Sequence, residues 1–188
     1  MRKLRLFWLL FPSYLIVTLA AILGVSFVSI RTARSSYLDQ IRRDLAARAY
    51  LVGDALRADV AEGDYDGVNR RCVALGRPSG TRVTIVLPGG NVVGDSEESP
   101  RNMDNHADRP EIRQALAEGL GSSMRFSHTL GERMMYFAAG IPGNGGYIAV
   151  ARTAMPLASI TQGIDKMAGE IALGVALVTL FAEWSAML

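Results

Sequence analysis

The residues best suited to chemistry gather in one polar stretch. Asp104, Asn105, His106, Asp108 and Arg109 place carboxylates, an imidazole and a guanidinium just ahead of a helix start. Such a setting suits capture of an anion or small polar ligand, because helix N-terminal N–H groups and a guanidinium both favour negative charge. The plainer alternative, which the spacing favours, is that Asp108 caps the helix while its neighbours satisfy loop backbone groups. Asp104, His106 and Asp108 alternate and can share a face, but one histidine with two carboxylates is a poor metal set. No metal and no cofactor is expected.

Further candidates lie on strands. Between Ser123 and Leu130, Met124, Phe126, His128 and Leu130 share one face, and Arg125, Ser127 and Thr129 the other. His128 then points with the apolar set, which fits a hydrogen-bonded, partly buried histidine better than a ligand. Met134, Tyr136 and Ala138 share a face of the next strand, so Tyr136 can line a pocket between sheet and helices together with His128. Arg152, at the end of the last strand, can reach a ligand acid or a helix carboxylate. The ligand-binding candidates are therefore Asn105, His106, Arg109, His128, Tyr136 and Arg152. Asp95, Glu97 and Glu98 with Ser96 and Ser99 read as a solvated acidic loop, since no nucleophile or base is fixed beside them. The sequence has no Ser-His-Asp arrangement, phosphate-binding loop or dinucleotide fingerprint, and no catalytic residue is assigned.

The elements that must position these residues follow from length and patterning. The 188 residues carry a net charge of +2 and one cysteine, Cys72, so an intrachain disulfide is excluded. Basic residues are scattered without a long run, and nucleic acid is not an expected partner. From Leu6 to Ile30 an apolar stretch would extend about 37 Å as a helix, enough to cross a bilayer core of about 30 Å. Arg2, Lys3 and Arg5 precede it and place the N-terminus in the cytoplasm. A cleaved signal peptide is the alternative, but the apolar stretch is too long for one. A second apolar segment, Ile171 to Leu188, contains Glu183 and runs to the last residue without a charged flank. It reads as a truncated second span, with a short amphiphilic tail as the alternative.

After Arg31 the chain is charged and Ala-rich, which favours helix. Leu38, Ile41, Leu45, Ala49, Val52, Leu56 and Val60 recur at steps of three and four and form one apolar stripe. Glu62 to Tyr65 break this helix, and a short second helix is expected from Asp66 to Leu75 before Gly76, Pro78 and Gly80. Arg82 to Leu87 and Asn91 to Gly94 read as a hairpin about Pro88-Gly89-Gly90. A loop to Arg109 follows, then a helix opened by Pro110 and ending near Glu118, with Asp108 and Glu111 spaced as in a capping box. Ser123–Leu130, Glu132–Ile141 and Gly146–Arg152 complete the strands. The fold class is α+β, an antiparallel sheet of about five strands with a long N-terminal helix, flanked by two transmembrane helices. The expected boundaries are 1–30 for the cytoplasmic N-terminus and first span, 31–168 for the extracytoplasmic domain, and 169–188 for the second span. Pro156 and Leu157, following Arg152, form the junction through which a change in the sheet can move the membrane helix.

Four stretches in this order resemble the N-terminal sensor region of bacterial sensor histidine kinases of the phosphate-regulon type. They are VVGDSEE at Val92 to Glu98, MDNHADRPEIRQAL at Met103 to Leu116, RMMYFAAGIP at Arg133 to Pro142 and YIAVARTAMPLASI at Tyr147 to Ile160. The resemblance implies a PAS-like, single-Cache-like extracytoplasmic domain in a homodimer at the bacterial inner membrane. It also implies a small-molecule or anion ligand, or a membrane transporter or accessory protein as partner. Neither His106 nor His128 has the family's phosphoacceptor motif, and no nucleotide box is present, so no phosphorylation is expected of this chain alone. The alternatives are the sensor module of a chemoreceptor or cyclic-dinucleotide enzyme, and a stand-alone membrane protein that binds a partner.

Overall fold

The apolar stripe at helical spacing is the feature that decides how one face of the sheet is covered. In the computed structural model, residues 2–127, 131–157, 166 and 169–179 are described, without the side chains of 2–12 and 15. Helix α1 spans Arg2–Glu62, and the chain divides into two compact units, Met1–Leu38 with Ile160–Leu188, and Asp39–Ser159.

In the first unit, α1 exposes Val17, Val25, Phe27 and Val28. Among the described residues one helix, Ile16–Glu62, is long and apolar enough to cross a membrane, with a mean hydropathy of 1.9 over its most apolar window. The second expected segment is described as a shorter apolar helix, Gly169–Thr179, and its remainder lies outside the described residues.

The second unit holds α2 (Tyr65–Ser79), β1 (Arg82–Val86), β2 (Val92–Asp95), α3 (Pro110–Glu118), β3 (Leu120–Ser127), β4 (Glu132–Gly143) and β5 (Gly146–Pro156). A 3-10 turn at Pro100–Asn102 interrupts the loop between β2 and α3. The sheet runs β2-β1-β5-β4-β3 with every neighbouring pair antiparallel. The first and last strands are thus paired at its centre, Thr84 opposite Arg152.

Alternation along the strands gives the two faces different partners. Val83, Ile85, Ile141, Ala149 and Ala151 pack against Val52, Leu56 and Val60 of α1 and Val68 and Cys72 of α2. Leu56 is fully buried there, a contribution of about 2 kcal/mol. Thr153 Oγ1 donates to the Leu45 carbonyl at 2.8 Å and ties α1 to the middle of β5. On the opposite face, Val86, Ala138 and Val150 pack against Ile112 and Ala115 of α3. This second apolar cluster is smaller, and buried polar residues fill the remainder of that layer.

Several boundaries differ from the sequence reading. α2 continues through Gly76 and Pro78 to Gly80, which closes it at φ 58 with its N–H on the Arg77 carbonyl. Gly76 is retained inside the helix because a Cβ there would strike Ser96, so close packing outweighs its low propensity. β3 starts at Leu120, directly after Gly119 ends α3. β5 runs on to Pro156, and Pro142 and Gly143 pair with Tyr147 and Gly146 instead of lying in the turn. The N-cap of α3 is Arg109 and not Asp108, with no side-chain cap; Pro110 at the first helical position dispenses with one N–H that a cap would satisfy. The helix expected from Leu157 to Met167 lies almost wholly outside the described residues.

Candidate ligand site

The layer between the sheet and α3 is built around charge. From β1, Arg82 and Thr84 point into it; from β5, Arg152; from β4, Tyr136; from β3, Ser123 and Arg125; and from α3, Glu111. Arg82, Thr84, Asp95, Glu111 and Arg152 are each at most 5% exposed, so each needs a partner inside the protein.

Asp95 accepts from Arg82 Nε at 3.1 Å, from Thr84 Oγ1 at 2.7 Å, and from the backbone N–H groups of Glu97 and Glu98. The acidic loop expected to be solvated is therefore anchored by a buried carboxylate, because the strand pairing carries Asp95 opposite Thr84. Glu111 takes Ser123 Oγ at 2.5 Å and Arg125 Nη2 at 3.0 Å, and lies 3.5 Å from Arg152 Nη1. Arg152 also donates to Thr84 Oγ1 at 3.0 Å, so the two carboxylate clusters join into one network. The Tyr136 ring lies under both guanidinium groups, 4.1 Å from Arg125 and 5.1 Å from Arg152. Among the described residues, Nε of Arg125 and Nε of Arg152 have no hydrogen-bond partner.

Burial lowers Arg152 to about 10, offset in part by Glu111, so it stays charged at neutral pH. Burial works to raise Glu111, but hydrogen bonds from Arg125 and Ser123 outweigh it, and the carboxyl lies below its ordinary value. Burial, reinforced by the charge of Arg152, depresses His106 to about 4. The imidazole is therefore neutral near pH 7. Its Nδ1 stands 2.7 Å from the Asp104 carbonyl and must carry the proton there, which leaves Nε2 as an acceptor.

The residues singled out from sequence divide into three groups. His106, Tyr136 and Arg152 belong to this layer or border it, and Arg152 is buried in the middle of β5 with a helix carboxylate as its partner. Asn105 is part of the loop scaffold: Nδ2 donates to the Gly89 carbonyl at 2.8 Å, and Oδ1 accepts from Ala107 N–H. Arg109 is the N-cap of α3. His128 lies outside the described residues. The expected pairing of Tyr136 with His128 therefore lies outside the described residues. Tyr136 stands opposite Ser123, on the face that carries Arg125, whereas Met124 and Phe126 are 56% and 49% exposed on the other. Sequence reasoning missed Glu111, Arg125, Arg82 and Asp95. The available signal was alternation, since Arg82 with Thr84 on β1 and Arg152 on β5 are charged or polar steps inside strongly apolar strands.

Clefts among the described residues of this unit include one outside this layer and one at the layer's Arg82 end. One of about 440 Å³ is lined by Tyr50 and Arg57 of α1, Glu118, Ile141 and Tyr147. One of about 270 Å³ lies beside Arg82, Glu97, Glu132 and Pro156. Among the described residues no group of His, Cys, Asp or Glu is arranged to hold a metal ion.

No family model and no curated protein matches the sequence. Solved structures do match the fold. The sensor domain of the Vibrio cholerae histidine kinase DctB superposes with a TM-score of 0.59 at 16% identity, over 84% of this chain and 60% of that one. The fold is Cache/PAS-like. The ligand-binding domain of the Campylobacter jejuni chemoreceptor Tlp3, solved with 4-methylisoleucine, gives 0.63 at 13% identity over 77% and 62%. The Escherichia coli DcuS sensor domain gives 0.52 at 14% identity over 66% and 97%. The chain thus spans about three fifths of the length of the DctB and Tlp3 domains.

Proposed function

We propose that this chain is the extracytoplasmic sensory and signal-transducing module of a membrane sensor histidine kinase in a bacterial two-component phosphorelay. In this reading its α3-side layer is the receptor site for a small molecule or anion. The observation that carries the reading is Arg152. A charged side chain fully buried on the central strand, with an unpartnered Nε and an aromatic ring beneath it, is expensive to maintain in a purely structural layer. The strand that holds it runs without interruption to Pro156, next to Leu157, where the sheet ends. The apolar first part of α1 supplies the anchor of this reading, in the inner membrane with the domain outside. Leu51, exposed on the part of α1 within the second unit, belongs to the contact surface of the expected homodimer in this reading.

The phosphate-regulon subtype, and with it a transporter or accessory protein as partner, rests on the four sequence stretches alone. A second reading, the sensor of a chemoreceptor, draws on the equal likeness to Tlp3, a protein solved with amino-acid-like ligands.

The test is a fusion of the whole chain to the linker and kinase domains of a reporter histidine kinase, screened against organic acids, amino acids and phosphate. The reading requires an output that depends on one ligand class and is lost in Arg152→Met at unchanged membrane abundance. It also requires Pro156→Gly to uncouple the response while the outer domain stays folded. An output that ignores every ligand, or persists in Arg152→Met, would sink it.

A further inference from the structure

Charge bookkeeping in the α3-side layer leaves one guanidinium short of a carboxylate. Arg82 is spent on Asp95, which it meets through both carboxylate oxygens. Arg125 and Arg152 share one oxygen of one residue, Glu111 Oε1, at 3.0 and 3.5 Å. Both keep an Nε without a partner among the described residues, although each guanidinium is built to hold a carboxylate through two parallel N–H groups. Around them are the Tyr136 ring, the Ser123 hydroxyl and the Thr84 hydroxyl, a set that would equally receive a free acid.

Glu111 enters this layer from the first turn of α3, the element that connects the loop carrying His106 to β3. A glutamate there would ordinarily face solvent near the helix N-terminus, where it interacts favourably with the helix dipole. Its complete burial against two arginines of the sheet is therefore a tertiary feature.

Resting on the receptor reading above, we propose that Glu111 is a tethered occupant of the anion site that Arg125 and Arg152 make, and that a small carboxylic acid ligand acts by displacing it. The ligand's carboxylate takes both guanidinium groups in two-point fashion. Glu111 turns out toward solvent, and α3 is released from the ion pairs that hold it on the sheet. In the empty state Glu111 thus satisfies part of the site, which accounts for a charged layer that is closed and largely hydrogen-bonded without a ligand.

The experiment measures thermal unfolding of the full chain in lipid nanodiscs with acetate or formate titrated against chloride at constant ionic strength. Glu111→Ala removes the tethered carboxylate and leaves room for a free one. Its midpoint is expected to rise saturably with acetate, with half-effect at a concentration at least tenfold below that of the unchanged protein, and Glu111→Ala with Arg152→Met is expected to lose the response. Equal responses in the unchanged protein and Glu111→Ala would overturn the proposal. If Glu111→Ala does not fold, Glu111→Gln decides the matter, because it keeps the volume and removes the charge. At least tenfold tighter acetate protection supports the tether, and unchanged protection refutes it. Because binding is read without any signalling output, failure here with a responsive kinase fusion would remove the tether alone, whereas an unresponsive fusion would remove the receptor reading.

Discussion

Arg152 on β5 and Glu111 on α3 face each other at 3.5 Å with both side chains almost wholly out of solvent. This contact ties the helix that covers one face of the sheet to the strand that leads out of the domain. Its energetic character is that of a buried ion pair: costly to assemble, and costlier to break from one side than to remove whole.

Replacing Arg152 by methionine leaves Glu111 with Arg125 alone and is expected to destabilise the domain by about 3 kcal/mol. Replacing both residues, as Arg152→Met with Glu111→Leu, is expected to cost less than the first change alone. Urea unfolding followed by circular dichroism checks this, and a double variant weaker than the single one would show that the pair is not coupled.

Acid is expected to act in two windows. His106 has a folded pKa below its unfolded one, so its contribution is complete above about 6.5 and declines as pH falls toward about 4. Glu111 is also depressed, so its contribution is present above the ordinary glutamate range and is lost as pH falls through its folded value. The His106→Asn variant should therefore show a flatter stability profile between pH 6.5 and 4 while keeping the acid loss below it. An identical profile in both proteins would remove His106 from this account.

Gly121 lies where β3 passes beneath α3, and a Cβ there would collide with the Glu111 carbonyl oxygen. Gly121→Ala should lift the start of α3 and cost about 2 kcal/mol. If Glu111 is seated as described, the same change should also raise hydrogen exchange across 110–118 more than across β1 and β5. Uniform exchange would indicate that α3 is not the element displaced.

Cys72 is fully buried between α2 and the sheet, and burial pushes its thiol up to about 12. Iodoacetamide at pH 8 should leave it unmodified in the folded protein and react promptly in urea, as read by mass spectrometry. Rapid labelling without denaturant would contradict the packing of α2 on β1 and β2.

Much of the architecture was legible because it is written in periodicity. The steps of three and four from Ile41 to Val60 predicted the face of α1 that is buried, and each of those residues is packed as the spacing required. The hairpin about Gly89, the inserted helix opened by Pro110 and the strand pair turning near Gly145 follow from turn chemistry acting over a few residues. Local signals of this kind do not depend on what the rest of the chain does. They failed where packing overrode propensity, as at Gly76 and Pro78 inside α2.

The candidate site was legible only in fragments. Arg152, Tyr136 and His106 were recognisable as residue types out of place in apolar or loop surroundings, and the structure brings them to one side of the sheet. Asn105, equally suggestive by type, braces the loop, and Arg109 stands at the start of α3.

What the sequence by itself determined is the order and kind of elements, the apolar first part of α1 and the side of α1 that meets the sheet. Tertiary structure alone decided which charges meet. Antiparallel pairing sets Thr84 opposite both Asp95 and Arg152, and the crossing of α3 over β3 and β5 delivers Glu111 to Arg125 and Arg152. The physical reason is range: periodicity is a property of neighbours along the chain, whereas an ion pair closes between residues that only the sheet register and the helix packing bring within a few ångströms.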